Sequence, residues 1–360
     1  MRTTLNDIPR LSIITPSFNS EELIRETLDS LIVQRDPHWE CIIVDDGSSD
    51  NTVTIINEYA SRDPRFRFIA RDRGPKGACT CRNIGVEKSR GRYLIFLDTD
   101  DLLAPHCIEQ RLEIMEQHRD LDLAIFPSAI FKQRPYDVNK WWNVETDRDL
   151  LTRQLHQDAI CQGTGCIWKK SSFQDVGMWN ETLMIWQDID LFLRTWIQDY
   201  RYRVCFGHEV DLHYRKHASL SGSDFFRPAK VESRCQVIRD TVNLMQRCNK
   251  NSFVRETRFL ATETIVGAAR SGQYDLAKDL LNFSTSNHVL TSKEQSLLRR
   301  MLPVFRTGAW QWGPLRNWIQ NKLSVFHADS QLGKVNCDQP LIQTASRLQE
   351  QVQQLSIAGA

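Results

Sequence analysis

Arg92-Tyr93-Leu94-Ile95-Phe96-Leu97-Asp98-Thr99-Asp100-Asp101 is an uncharged run that ends abruptly on a cluster of acids. The bulky residues from Tyr93 to Leu97 read as a buried strand that surfaces at its carboxyl end. In open α/β sheets, ligands bind at that end of the strands. Alternate positions of extended chain point the same way, so Asp98 and Asp100 can converge. A divalent cation between them would relieve the repulsion among three carboxylates within four residues. An isolated Asp-x-Asp is more often a solvated turn than a metal site, so the rest of the chain has to carry the decision.

Upstream, the same strand-to-polar-turn pattern repeats. Leu11 to Thr15 reads as a strand ending at Pro16-Ser17-Phe18-Asn19. A helix follows, with Ser20 as N-cap, Glu21 and Glu22 at its positive end, and Leu23, Ile24, Leu28, Leu31 and Ile32 as its apolar stripe. Glu40 to Val44 reads as a second strand, ending in Asp45-Asp46-Gly47-Ser48-Ser49-Asp50. Gly47 permits a tight turn, and Ser49 or Asp50 can cap the helix through Ile55, Ile56 and Tyr59. Two acids at a strand mouth can also accept from a base's imino group and from ribose hydroxyls, a role the pattern favours for Asp46. Arg65 to Ala70 reads as a third strand, and the basic loop Arg71-Asp72-Arg73-Gly74-Pro75-Lys76-Gly77 then feeds a helix carrying Arg82 and Asn83 near its start. Cations at a helix amino terminus suit a diphosphate. Four such units predict a mostly parallel central sheet with helices on both faces.

Downstream, the pattern predicts a helix over 108–117 and a strand over 121–126. Phe131 to Asn143 reads as irregular and aromatic, with Trp141-Trp142, and a helix is predicted over 147–155. Gly163-Thr164-Gly165 precedes a strand over 166–168, and Val176 to Glu181 reads as a turn. Gln187-Asp188 opens a helix; Asp188 is either its cap or, if it faces a pocket, a base. Beyond about Asp224 the strand signals give way to helices, with a hairpin turning at Ser271-Gly272-Gln273. Gly313-Pro314 opens an amphipathic stretch in which Leu315, Trp318, Ile319, Leu323 and Phe326 share a face. Internal packing is the expectation for 310–326, with peripheral membrane contact as the alternative. The divisions expected are 1–225 (α/β), 226–328 (helical) and a polar tail, weakly ordered or helical, over 329–360.

The chain has 360 residues and a net charge of +1, so no global charge argues for nucleic acid. Its ten cysteines form no pair of Cys-x-x-Cys knuckles, and no signal-type apolar run opens it; they read as reduced cytosolic thiols. No apolar run approaches the roughly 20 residues a spanning helix needs. The expected location is cytoplasmic, with the inner membrane face as a possible site of contact.

Taken in order, Pro16-Ser17-Phe18-Asn19, Asp45-Asp46-Gly47-Ser48, Arg82-Asn83-Ile84-Gly85, Asp98-Thr99-Asp100-Asp101, Gln187-Asp188 and Tyr214-Arg215-Lys216-His217 resemble the family 2 glycosyltransferases of the GT-A fold, inverting enzymes that use nucleotide-diphosphate sugars. The resemblance covers roughly residues 10 to 222. It implies that Asp46 recognises the base, usually uracil, in a nucleoside pocket lined by Pro16, Phe18 and Asn19. Arg82 and Arg215 would then meet phosphates, Asp98 the ribose or donor sugar, and Asp100 with His217 an Mn²⁺ or Mg²⁺ ion. Asp188 would be the base acting on a glycan, lipid-linked or protein acceptor. Gln187 stands where the family commonly has Glu, which leaves the base position intact but removes a neighbouring carboxylate. Phe18 replaces a frequent tyrosine. A sugar-phosphate nucleotidyltransferase and a receiver-like metal-binding module are the alternatives, the latter suggested by Ile42-Ile43-Val44-Asp45-Asp46.

Overall fold

The computed structural model describes residues 8–138, 140–216, 226–319 and 321–322. Strand β1 (Leu11–Ser17), helix α1 (Ile24–Ile32), β2 (Trp39–Asp45), α2 (Thr52–Arg62), β3 (Phe66–Ala70), α3 (Ala78–Lys88) and β4 (Tyr93–Phe96) follow one another as expected. The four strands are parallel in the spatial order β3-β2-β1-β4. Every residue of β2 and β4 is buried, which is why these segments read as continuous apolar runs. Apart from Asp45 at the end of β2, the exception is Glu40, whose carboxylate accepts from Ser12 Oγ at 2.7 Å, Arg90 N at 2.6 Å and Arg67 Nη1 at 2.8 Å. Burial alone would push its pKa up, but these donors outweigh burial and hold it below the ordinary range. Helix α3 lies so close to β1 that a Cβ on Gly85 would meet Ile14 Cγ2 at 2.4 Å. That approach seats the first turns of α3 at the carboxyl ends of the strands.

Beyond β4 the sheet stops being parallel. After β5 (Leu102–Leu103) and α4 (Cys107–Gln117) come β6 (Leu123–Ile125), β7 (Ser128–Phe131), β8 (Lys140–Trp141), α5 (Leu150–Leu155), β9 (Cys166–Lys169), α6 (Lys170–Asp175), α7 (Gln187–Ile197), β10 (Tyr202–Val204) and β11 (Leu212–Arg215). Strand β9 enters antiparallel between β4 and β6, and β10 closes that edge, completing a seven-stranded mixed sheet. The expectation of an irregular 131–143 is corrected in part. β8 pairs with β7, and a second sheet forms in the order β5-β11-β7-β8. Asn143 pins it, with Oδ1 accepting from Ser128 N at 2.8 Å and Nδ2 donating to Phe126 O at 3.0 Å and Ile160 O at 2.8 Å. Strands of two to four residues are too short to show a period.

From Pro228 the described chain is helical: α8 (Pro228–Arg247), α9 (Arg258–Arg270), α10 (Tyr274–Ser286) and α11 (Ser292–Arg306). The turn of the α9–α10 hairpin places Gly272 at φ +81°, a conformation other residues adopt at a cost. One buried cluster runs from Leu191 and Phe192 of α7 into Val231, Ile238 and Val242 of α8, so these helices share the core of the sheet. Residues 313–319 and 321–322 are helical as well. There Ile319 is buried while Trp318 is 44 % exposed, so the expected apolar face packs only in part. Leu323, Phe326 and the polar tail over 329–360 lie outside the described residues. No helix among the described residues is long and apolar enough to cross a membrane.

Candidate functional site

The carboxyl ends of β1, β2 and β4 open into a cleft of about 480 Å³. Pro16, Phe18, Asn19, Asp46, Arg82, Asp98 and Asp100 all line it, so seven side chains expected from the sequence meet in one place. They come from the β1 mouth, the β2 mouth, the first turns of α3 and the loop after β4.

Asn19 adopts φ +47°, and the turns after β1 and β2 are stitched together across it. Its N–H donates to Ser48 Oγ at 2.9 Å, and its Oδ1 accepts from Ser49 N at 2.8 Å. Asp45 is occupied by the same turn, accepting from Ser17 Oγ (3.1 Å), Gly47 N (2.9 Å), Ser48 N (2.8 Å) and Ser48 Oγ (2.5 Å). Asp46 faces the cleft and accepts from Arg71 Nε at 2.5 Å. Phe18 is 46 % exposed, with Lys76 Nζ 3.7 Å from its ring centre.

Arg82 is buried, donates from Nη2 to Asp98 Oδ1 at 2.5 Å, and lies with its guanidinium carbon 4.8 Å from the Trp179 ring centre. Its Nε is buried without a hydrogen-bond partner among the described residues. Burial opposes its charge, but Asp98 and Asp188 hold it more firmly protonated than an ordinary arginine. Asp188 sits in the first turn of α7 and accepts from Gly163 N at 2.9 Å. A Cβ on Gly163 would meet the Trp179 ring at 3.2 Å and Asp188 Oδ1 at 3.4 Å, so glycine lets this turn reach the acid. Burial, then Asp98, push the Asp188 pKa up while Arg82 pulls it back, leaving it above the ordinary carboxylate range. Asp188 is not a lining residue of the cleft, but Arg82 and Asp98 of the cleft lie within its field.

The acidic loop is braced from behind by Arg215. Its N–H donates to Asp101 Oδ1 (2.9 Å), Nε to the Asp100 carbonyl (2.8 Å), Nη1 to the Lys132 carbonyl (3.3 Å) and Nη2 to Glu26 Oε2 (2.7 Å). The resemblance implied a phosphate contact for Arg215; in the fold its guanidinium is engaged with Glu26 and two carbonyls, and it does not line the cleft. His217 lies outside the described residues. Among the described residues, no group of three or more His, Cys, Asp or Glu is gathered so as to hold a metal ion.

Several contributors went unread in the sequence. Thr99 lines the cleft and shares a hydroxyl hydrogen bond with Ser20 at 2.8 Å. Arg71 was read only as part of a basic loop suited to a diphosphate, whereas in the fold it pairs with Asp46. Trp179 and Tyr214 carried no local signal. The Tyr214 hydroxyl lies in the field of Asp101, Asp100, Asp98 and Asp188, and burial followed by those charges pushes its pKa up to about 12. Tyr214 lies on β11, its ring centre 6.1 Å from that of Trp142.

Comparison with known proteins bears on the family and the fold. Residues 12–177 match the family model of glycosyl transferase family 2. TuaG of Bacillus subtilis (strain 168), whose name attaches it to teichuronic acid biosynthesis, is 41 % identical over 107 residues, 30 % of this chain and 42 % of that protein. The uncharacterized glycosyltransferase RP339 of Rickettsia prowazekii is 27 % identical over 218 residues, 59 % of this chain and 65 % of that protein. The matches thus span less than two thirds of these relatives. Among solved structures, TarS of S. aureus (residues 1–349, in complex with UDP-GlcNAc) superposes with a TM-score of 0.64 at 18 % identity, covering 82 % of this chain and 88 % of that one. That likeness is one of fold, and the fold is the GT-A arrangement.

Proposed function

We propose that this chain, whose residues 12–177 match the family model of glycosyl transferase family 2, transfers a sugar from a UDP-sugar to an acceptor hydroxyl of a surface glycan, with inversion at the anomeric carbon. The observation that carries the reading is Arg82, which answers to a carboxylate of the cleft (Asp98) and to the candidate base (Asp188) at once. Donor phosphates and acceptor hydroxyl are thereby brought to one place.

In this reading Asp46 and Asn19 hold the nucleoside against Phe18. Arg82 offers its remaining donors to the diphosphate; a buried guanidinium with an unpartnered Nε suits an anionic ligand. Asp188 takes the proton of the acceptor hydroxyl, and its raised pKa makes it a better proton acceptor than an ordinary carboxylate. As the acceptor oxygen bonds to the anomeric carbon from the opposite face, the bond to the diphosphate breaks and its electron pair leaves with UDP. The acceptor would approach past Tyr214 and Trp142. Asp98 and Asp100 offer oxygen donors of the kind a hard divalent cation takes one or two of, the rest of its shell being phosphate oxygen and water. When bound there, Mn²⁺ or Mg²⁺ would supply positive charge against the departing diphosphate.

Release of UDP from a panel of UDP-sugars, with Mn²⁺ or with chelator, tests the reading. Asp188→Asn is expected to lower turnover by about 10²–10⁴-fold. Undiminished turnover would remove Asp188 from the role of base. Pyrophosphate release from UTP and a sugar phosphate would point instead to nucleotidyl transfer.

A further inference from the structure

The last described part of the chain carries a charge imbalance that the site does not use. Between residues 292 and 322 there are six cations, Lys293, Arg299, Arg300, Arg306, Arg316 and Lys322, and a single acid, Glu294. This segment is net positive by five while the whole chain is +1, so the remainder is net negative by four. Glu294 is already taken by Arg255 at 3.0 Å. All six cations are exposed. None has a carboxylate partner among the described residues.

Their placement is ordered. Helix α11 buries Leu298, Met301 and Phe305, spaced three and four apart, against the core. Lys293 and Arg300, like Arg299 and Arg306, are seven residues apart, which stacks each pair in a row; the two rows lie about 100° apart and flank the outward side of the helix. After the turn at Gly308, Trp312 is 68 % exposed and Trp318 44 % exposed. Each has an exposed cation four residues on, Arg316 and Lys322, about one helical turn away. Arg316 N donates to Trp312 O at 2.9 Å, which confirms that spacing for the first pair. By contrast, Trp310 turns inward, its ring centre 6.2 Å from that of Phe305.

We propose that residues 292–322 dock the protein on the surface of a bilayer containing anionic lipid. The cations meet headgroup phosphates, and the exposed indoles enter the layer at headgroup level. A nucleic acid would satisfy the cations equally well but offers no apolar layer to two exposed tryptophans, so the indoles favour the bilayer. This surface is independent of the reading of the cleft.

Co-sedimentation of the full chain with vesicles tests it. The chain is expected to bind vesicles of phosphatidylcholine with about 30 % phosphatidylglycerol, to ignore phosphatidylcholine alone, and to be released at about 0.5 M salt. The double variant Arg299→Glu/Arg300→Glu should bind at least about tenfold more weakly, and Trp312→Ser/Trp318→Ser several-fold more weakly, with unchanged UDP release in both. Equal binding to neutral vesicles, salt-insensitive binding, or wild-type binding by the charge-reversal variant would overturn the proposal. So would preferential binding to a 20-nucleotide single strand. The salt titration needs no variant, so a substitution that fails to fold leaves the proposal open to refutation.

Discussion

Two pairs of adjacent acids stand at the carboxyl mouths of β2 and β4, the strands on either side of β1: Asp45-Asp46 where β2 ends and Asp100-Asp101 in the loop after β4, and the fold splits both pairs the same way. One member of each is spent on backbone and the other reaches the cleft. Asp45 accepts four hydrogen bonds that shape its own turn, and Asp46 faces the ligand space. In the second pair the order is reversed: Asp100 lines the cleft and Asp101 is 1 % exposed, accepting from Arg215 N. Successive side chains leaving a strand point in opposite directions, so two adjacent acids can rarely serve one ligand together. The pairs differ in how well the hidden acid is compensated. Asp45 has two hydroxyl donors on Oδ1 and two amide donors on Oδ2, whereas Asp101 lies buried within the field of Asp100 and Asp98.

The largest expected effect separates the outward members from the inward ones. Asp100→Asn keeps the shape and removes the charge, and kcat/KM for UDP release should fall by about 10²-fold or more. Its thermal midpoint should stay near that of the parent, because the amide keeps the side chain's shape and the Asp100 carbonyl still accepts from Arg215 Nε. Asp45→Ala should do the opposite. Losing a four-bond acceptor at a half-buried turn costs about 2–3 kcal/mol by chemical denaturation. Activity should fall only through the displaced Asp46. A stable but inactive Asp45→Ala, or an unstable Asp100→Asn, would break the division.

How far the sequence carries this picture depends on the range of the interactions. The four parallel strands and the cleft acids were legible because each lies at the end of a local apolar run. For Asp46 the expectation rested on two acids with Gly and Ser at a strand mouth, a pattern that suits a base and ribose hydroxyls but does not say that Asp45 turns into its own turn. Arg215 was assigned from resemblance alone, and the fold shows it gripping Glu26, 189 residues away, a partner that no local pattern announces. The antiparallel entry of β9 and the pairing of β7 with β8 also escaped. The first rests on register between strands more than 70 residues apart, and both join strands of four residues or fewer, too short to show a period. Tyr214 joined the site for the same reason: its place depends on β11 lying between β5 and β7.

The smallest expected effect concerns the hidden acid that is poorly compensated. Burial, then the charges of Asp100 and Asp98, push the Asp101 pKa well above the ordinary carboxylate value. An unfolded chain releases that proton near pH ~3.9, while the folded one keeps it to higher pH. Between those two values the unfolded state binds fewer protons, so the contribution of Asp101 is full below the unfolded value and is lost as pH rises through the folded one. Asp101→Asn keeps an oxygen for Arg215 N and cannot ionise. In chelator, the stability of the parent relative to this variant should therefore be greatest near pH 4 and decline towards pH 8, with a difference at neutral pH of about 1 kcal/mol or less. Urea denaturation midpoints at several pH values measure it. A parent that instead gained on the variant with rising pH would show Asp101 to be a well-compensated anion like Asp45, and the contrast between the two strand mouths would disappear.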